Sequence, residues 1–347
     1  MTAIYAFGSD PKQFYSRSQA LVASSDPTTN SLVWTALSTV FSGLSSFQSV
    51  TRTSAGRWLA VSTTGQVALS SNPSTGWTSY DLETRNLLVT RVSNDGSNFL
   101  MVGHEKNSQT LNEVAFVAHS PTGEAGTWAR TYPGNLLGSI LHDLVLLSHT
   151  DGSPWLAVGS KEGGASPFMV VGPRGGPWTE VALPGRLPGP ILSVAYHYTN
   201  GGIDHPDTNQ VWIGGTGYVA TATWATTPVW SINQTIAIGG VPVGVTRLVV
   251  LTINGATVTL ALAGSSVWYT ANNRDWYWVS QPGYNFSDAA VYHDTVLDSD
   301  RVYFGVWGLL NQYTGFVGEF DPSAPSLTLT GFDTGANAIH AKTLIVA

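Results

Sequence analysis

Apolar positions along the chain fall in short runs separated by stretches rich in Gly, Asn, Pro, Ser and Thr. Helical periodicity is almost absent and β-branched residues dominate the runs, so the pattern predicts strands joined by tight turns. Three kinds of run recur in a fixed order. The first, A, reads FQSVTRTS, LLVTRVSN, ILHDLVLLS, ILSVAYHY, VTRLVVLT, DAAVYHDT and NAIHAKTLI. The second, B, is apolar and ends in a small residue: IYAFGS, WLAVST, FLMVGH, WLAVGS, VWIGG, LALAGSS and VYFGVWG. The third, C, leads into a turn such as SSNPSTGW, HSPTGEAGTW, GPRGGPW or TANNRDW. A short D run follows each turn. It is opened by Trp34, Trp77, Trp128, Trp178, Trp230 and Trp278, at spacings of 43, 51, 50, 52 and 48 residues, and by Leu327 in a seventh unit 49 residues on.

Four short antiparallel strands in about 50 residues, repeated, is the signature of a propeller blade. The chain opens on a B run and closes on an A run, so one unit is shared between its two ends. The expected fold is therefore all-β: a seven-bladed β-propeller in a single domain over residues 1–347. Its composite blade takes residues 1–40 and 335–347, and six continuous blades lie near 45–82, 86–133, 138–183, 190–234, 244–280 and 287–331. Closing the ring in this way removes exposed sheet edges. A β-helix or a pair of stacked sandwiches is the alternative, but neither needs a shared terminal unit.

Composition narrows the chemistry. Hydrophobic residues make up 43% of the chain, enough for a large core rather than a disordered segment. Charged residues are only 11%, with a net charge of −7, against about 25% charged in ordinary domains. Few lysines and a negative balance argue against a partner bound through phosphates, so no nucleic acid is expected. The absence of Cys excludes disulfides, Cys-ligated zinc, iron–sulfur clusters and a thiol nucleophile. The opening residues MTAIYAFGSD lack a basic region followed by a long apolar one, and no apolar run approaches the roughly 20 residues of a membrane helix. A soluble chain made without a signal peptide, and no membrane insertion, is the expectation.

The turn-plus-Trp element resembles the Asp-box of sialidase-type propellers, Ser-x-Asp-x-Gly-x-x-Trp. Ser70, Asn72, Gly76 and Trp77 come closest, Ser24 and Asp26 precede a longer loop to Trp34, and Asn272 with Trp276 gives a third remnant. The resemblance implies a folding role, in which the polar side chain caps the turn and the Trp packs between sheets. The six Trp residues are accordingly structural. Sialidase-type enzymes also carry three arginines that clamp a carboxylate. Arg52, Arg91 and Arg247 lie in A runs, but their shared contexts VTRTS, VTRVS and VTRLV mark a repeat position instead. Glutamates fall mostly in turns and outer strands. No catalytic residues, no metal site and no cofactor are expected. Asp204, His205 and Asp207 form a turn between A and B runs, and His142, His197, His293 and His340 lie in A runs.

A partner is expected on loops held by the rigid sheets. The B–C loop 10–18 brings Lys12, Phe14, Tyr15 and Arg17, and the B–C loop 307–314 brings Trp307 and Tyr313. Ring closure makes these loops neighbours, and aromatics beside Arg suit a sugar ring or a protein hot spot. In composition the chain resembles accessory propeller proteins of tailed-bacteriophage virions, located in the tail, fibre or capsid decoration. That resemblance implies a non-catalytic virion protein within a larger assembly, whose partner is another virion protein or a host-surface glycan. A lectin-like bacterial propeller, soluble in the cytoplasm or released, is the alternative, and a sialidase-type glycoside hydrolase is the third.

Overall fold

The computed structural model describes residues 3–9, 18–26, 31–41, 47–73, 75–82, 86–106, 112–148, 150, 152–183, 187–199, 208–224, 228–294, 298–308, 315–321, 326–332 and 340–346. The first three strands are β1 (Ala3–Ser9), β2 (Ser18–Asp26) and β3 (Ser31–Thr39). Next come β4 (Phe47–Arg52), β5 (Trp58–Ser62), β6 (Gln66–Ser70) and β7 (Thr78–Asp81). The third set is β8 (Leu87–Asn94), β9 (Phe99–Lys106), β10 (Glu113–Ser120) and β11 (Ala129–Thr131). The fourth is β12 (Ile140–Leu146), β13 (Trp155–Lys161), β14 (Ser166–Gly172) and β15 (Thr179–Glu180). The fifth is β16 (Ile191–Thr199), β17 (Thr208–Gly215), β18 (Tyr218–Thr223) and β19 (Ser231–Thr235), followed by a small hairpin of β20 (Ala237–Ile238) and β21 (Val241–Pro242). The last strands are β22 (Arg247–Ile253), β23 (Ala256–Ala263), β24 (Ser266–Thr270), β25 (Tyr277–Ser280), β26 (Tyr284–Asp294), β27 (Ser299–Gly308), β28 (Gly315–Asp321), β29 (Ser326–Phe332) and β30 (His340–Val346).

The described strands form seven four-stranded antiparallel sheets and the two-stranded hairpin. In each four-stranded sheet the order is A–B–C–D, as the runs predict. The shared unit is present too: β30 pairs with β1, giving the order β3-β2-β1-β30. Among the described residues no helix is long and apolar enough to cross a membrane. The chain divides into two compact units, one of residues 1–82 and 251–347 and the other of residues 83–250.

B strands are buried along nearly their whole length, as in WLAVS of β5 and WLAVGS of β13. In β13, Trp155 and Ala157 face the sheet β8–β11 while Leu156 and Val158 face the sheet β16–β19, which is why such a run is continuously apolar rather than alternating. In the first unit Phe7 of β1 meets Phe47, Trp58 and Trp77 of the next sheet, with ring centroids 5.7, 5.6 and 6.1 Å away. In the second unit Trp178 packs on a core of Leu100, Val117, Trp155 and Phe168, and Trp230 on one of Leu156, Val158, Ile191 and Ile213. Trp77, Trp178 and Trp230, each just before a D strand, thus wedge between their own sheet and the preceding one.

The small residue that ends each B run has a steric cause. Among the described residues six A strands slip register by one residue against their B partners, at Phe47/Ser49, Val89/Arg91, Leu141/Asp143, Ile191/Ser193, Phe286/Asp288 and Ala341/Thr343. Such a bulge folds one peptide of the A strand toward its neighbour. A Cβ on Gly103 would lie 2.0 Å from the Leu88 carbonyl oxygen, and one on Gly159 would lie 1.9 Å from that of Ile140. No side chain fits there.

The bulge also re-aims the residue that follows it. Ser49, Asp143, Ser193 and Asp288 all become buried polar side chains. Asp143 Oδ2 accepts a hydrogen bond from Val194 N at 3.1 Å, and Asp288 Oδ2 accepts one from Leu344 N at 2.9 Å. Ser193 Oγ donates to the Val245 carbonyl at 2.8 Å, and Thr90 Oγ1 to that of Leu141 at 2.7 Å. Each bond runs from the A strand of one sheet to the A strand of the next or, at Val245, to the chain just before it, one repeat further along.

Gly159→Ala is expected to cost about 2–3 kcal/mol of stability through forced backbone shifts. Gly189→Ala, whose Cβ would meet only Thr216 Cβ at 3.7 Å, is expected to change it by less than about 0.5 kcal/mol. Urea unfolding of the two variants checks this, and equal losses would remove the steric account.

Candidate functional site

Three places in the described structure bring chemistry-bearing side chains together. The first is the A-strand junction of the second unit. Arg91 Nε lies 3.3 Å from Asp143 Oδ1, and Arg247 Nη1 lies 3.7 Å from Asp143 Oδ2. Asp143 also accepts from Leu144 N at 3.0 Å. Both arginines are directed at the chain's own carboxylate. Arg91 directly follows the bulge of β8, and Arg247 opens β22. Arg52 does not share this position: it ends β4, exposed, with its guanidinium 5.5 Å from the centre of the Trp58 ring. The three VTR segments are therefore alike in sequence but not in place.

The second lies at the B–C ends of the sheets β8–β11 and β12–β15. His104 of β9 is buried, its Nε2 is 3.6 Å from Glu113 Oε1, and its Nδ1 has no partner among the described residues. His142, the residue passed over in the β12 bulge, lies 3.5 Å from Ser160 Oγ. Burial holds the His104 pKa below its ordinary value, against the pull of Glu113 and with a further push from Lys106. Burial does the same at His142, helped by repulsion from His104 and opposed by Asp143 and Glu113. His197, lowered by burial alone, lies near the end of β16, and His293 near the end of β26. His142 and His197 thus lie toward opposite ends of their A strands, and the side chain of His340 lies outside the described residues. No set of three His, Asp or Glu among the described residues is arranged to hold a metal ion.

The third is a pair of clefts at matching places in their sheets. Each is walled by the A–B turn of one sheet and by the A–B and C–D ends of the next. In the second unit a cleft of ≈ 740 Å³ is lined by Asp95, Asn98, Leu146, Ser148, Trp155 and Arg174, among others. Arg174 Nη2 bridges it to Asp95 Oδ2 at 2.8 Å. In the first unit a cleft of ≈ 420 Å³ is lined by Asn254, Asp300, Arg301, Glu319 and Asp321, among others. There Asn254 N donates to Asp300 Oδ2 at 2.8 Å, and Asp300 N donates back to Asn254 Oδ1 at 2.7 Å.

The loop residues proposed from sequence, Lys12, Phe14, Tyr15, Arg17 and Tyr313, lie outside the described residues, as does the turn with Asp204, His205 and Asp207. Trp307 pairs with Asn285 in the β26–β27 ladder and Trp34 with Ala23 in the β2–β3 ladder, but the side chains of both lie outside the described residues. Trp128 and Trp178 directly precede β11 and β15. In the sheet β22–β25 the equivalent position belongs to Trp276, which directly precedes β25. Trp278 lies two residues further on, 55% exposed and stacked on Trp268 at 5.8 Å, so it is not the inter-sheet wedge. Turn capping follows the Asp-box pattern in altered residues. Asn272 Oδ1 accepts from Arg274 N and Asp275 N at 3.0 and 2.9 Å, whereas Ser70 Oγ takes that role beside Asn72.

No family model matches the sequence, and no curated protein matches it. Solved structures do. YCF48 from Cyanidioschyzon merolae superposes with a TM-score of 0.52 at 12% identity, covering 93% of this chain and 96% of that one. YCF48 bound to a D1 peptide gives 0.51 at 11% identity, over 83% and 82%. Sqt1 from Chaetomium thermophilum gives 0.51 at 13% identity, over 88% and 93%. The chain folds as a β-propeller. At these identities the likeness extends to the fold alone.

The buried histidines give a pH dependence of known sign. Their folded pKa values lie below the unfolded value of about 6.5. They therefore favour folding fully above that pH, and the contribution is lost as pH falls from about 6.5 toward the folded values. The urea midpoint is expected to drop between pH 7 and 5. His104→Gln combined with His142→Gln is expected to flatten most of that slope, with His197 supplying the remainder. An unchanged slope in the double variant would contradict this.

Proposed function

We propose that this protein is a non-catalytic binding propeller whose partner is another protein, held at the clefts where A–B and C–D hairpins of adjacent sheets meet. The observation that carries this reading is the ≈ 740 Å³ cleft of the second unit, which combines apolar walls from Leu146, Trp155 and Pro173 with a polar rim. Its volume lies in the range of ligand clefts, and its lining joins three apolar residues to six polar or charged ones. One propeller of similar fold, YCF48, has been solved bound to a D1 peptide, which supports a peptide segment as the kind of ligand such a scaffold accepts. The direction of Arg91 and Arg247 toward Asp143 supports a non-catalytic reading, because those guanidinium groups already serve an internal carboxylate.

The setting we propose is a tailed-phage virion, with another virion protein as the partner. It rests on composition: few charges, few lysines and strongly diverged repeats. A host-surface glycan is the second reading, carried by the aromatic loop residues Phe14, Tyr15, Trp307 and Tyr313 beside Arg17. Parallel peptide and glycan arrays probed with the purified chain separate the two. Selective retention on peptide spots is the expected result. Retention on glycans alone, lost in Tyr15→Ala or Trp307→Ala, would replace the protein reading with the lectin one. Turnover of a fluorogenic sialoside or another glycoside would overturn the non-catalytic assignment.

A further inference from the structure

We infer that the cleft between the sheets β8–β11 and β12–β15 takes an extended acidic segment of its partner protein, seating one carboxylate on Arg174. This rests on the protein-binding reading above and specifies the chemistry of the segment. Only two of the cleft's lining residues are charged, Asp95 and Arg174, and their hydrogen-bonding capacity is used very unequally.

Asp95 is turned inward on its own hairpin. Its Oδ1 accepts from Asn98 N at 2.8 Å, Ser97 N at 3.1 Å and Asn98 Nδ2 at 3.1 Å, and its Oδ2 accepts from Arg174. Burial opposes ionisation of Asp95, but the bonds from Asn98 and Ser97 and the charge of Arg174 outweigh it and hold its pKa below the ordinary carboxylate value. Its acceptor capacity is largely spent, and it offers little to a cationic ligand.

Arg174 is in the opposite condition. It sits on the C–D turn after β14, its side chain is 45% exposed, and its ion pair uses Nη2 alone. A guanidinium carries five N–H donors in a planar fork, which matches a carboxylate in a two-point contact. The donors that remain on Arg174 border a cleft whose rim adds the hydroxyls of Ser97 and Ser148, while that of Ser153 donates to the Ser148 carbonyl at 3.1 Å. Unspent donors dominate, so the complementary ligand is rich in acceptors and bears negative charge. Leu146, Trp155 and Pro173 supply apolar wall for the aliphatic part of such a segment, which a bare anion would not use.

The matching cleft of the first unit differs in this respect. It carries Asp300, Glu319 and Asp321 around Arg301, and Arg301 Nη2 is held by Glu319 Oε1 at 2.8 Å. The two clefts share a place in the fold but not a charge, so the acidic segment is assigned to the second unit alone.

The test uses a cellulose array of randomised short peptides probed with the whole chain and four variants. The wild type is expected to retain peptides enriched in Asp and Glu. Arg174→Gln is expected to lower that retention about tenfold or more, the worth of one charged hydrogen-bonded contact, and Arg174→Lys to restore it in part. Ser148→Trp, which fills the cleft from an exposed position, is expected to silence it as well. Arg274→Gln removes the same charge from an exposed C–D turn of the first unit and is expected to leave retention unchanged. Retention without acidic enrichment, or enrichment that survives both Arg174→Gln and Ser148→Trp, overturns the acidic-segment proposal while leaving the protein-binding reading intact. An array with no retained peptide overturns both. Binding of sialyllactose that depends on Arg174, in place of acidic peptides, assigns the cleft to an acidic glycan and also overturns the proposal.

Discussion

A single steric conflict organises these sheets: an A-strand carbonyl that folds in against its B-strand neighbour. At Gly103 and Gly159 the carbonyl oxygen lies where a Cβ would have to be. Two consequences follow from the same bulge. The B strand must place its smallest residue opposite it, and the A strand must turn the next side chain out of the sheet toward the adjacent one. Asp143 meets Val194 N in this way, and Asp288 meets Leu344 N. A slip of one residue in either strand would bury a backbone group without a partner and carry the polar side chain to the wrong face. Inter-sheet register is therefore fixed by a few polar atoms inside a largely apolar packing.

Charge is scarce in this chain, and the structure uses part of it internally. Asp143 collects two arginines and two backbone N–H groups in one buried junction. Buried ion pairs add little net stability over well-packed apolar residues, but removing one partner is costly because it strands the others. The arrangement specifies which sheets neighbour each other more than how tightly they pack. It also distinguishes this chain from sialidase-type propellers, to which its turns bear a resemblance. There, arginines in inner strands receive a ligand carboxylate. Here, two of them receive a carboxylate of the protein itself, and the half-exposed cation of the second unit's cleft is Arg174, on a hairpin.

The sequence shows most of the fold because its signals are local. Turn chemistry before each D strand and unbroken apolar B runs depend on neighbours within a few residues, and the paired strands follow them one for one. The small residue ending each B run was visible as a pattern, while its reason, a bulge in another strand, was not. Arg52 was grouped with Arg91 and Arg247 because three letters match, whereas the exposed end of a strand and a junction with the next sheet are set by distance from the bulge. Likewise the spacing of the repeats selects Trp278, whereas the position just before the D strand belongs to Trp276, two residues earlier. The clefts left no trace in the sequence. Their walls come from hairpins one repeat apart, and Asp95 and Arg174 meet only when two sheets pack.

The sheet shared between the chain's two ends has a consequence for how the molecule is made. Ile4 pairs with Val346 and Ser9 with His340. Strand β1 therefore emerges from the ribosome with one edge open, and it stays open through the synthesis of every other sheet. Contacts of such long sequence separation form late and slowly. Until β30 arrives, the apolar face around Phe7 and the unpaired backbone of β1 are a template for any passing strand, including another copy of β30. Nascent chains crowded on one message therefore run a risk of exchanging this strand, and the risk grows with the rate of synthesis.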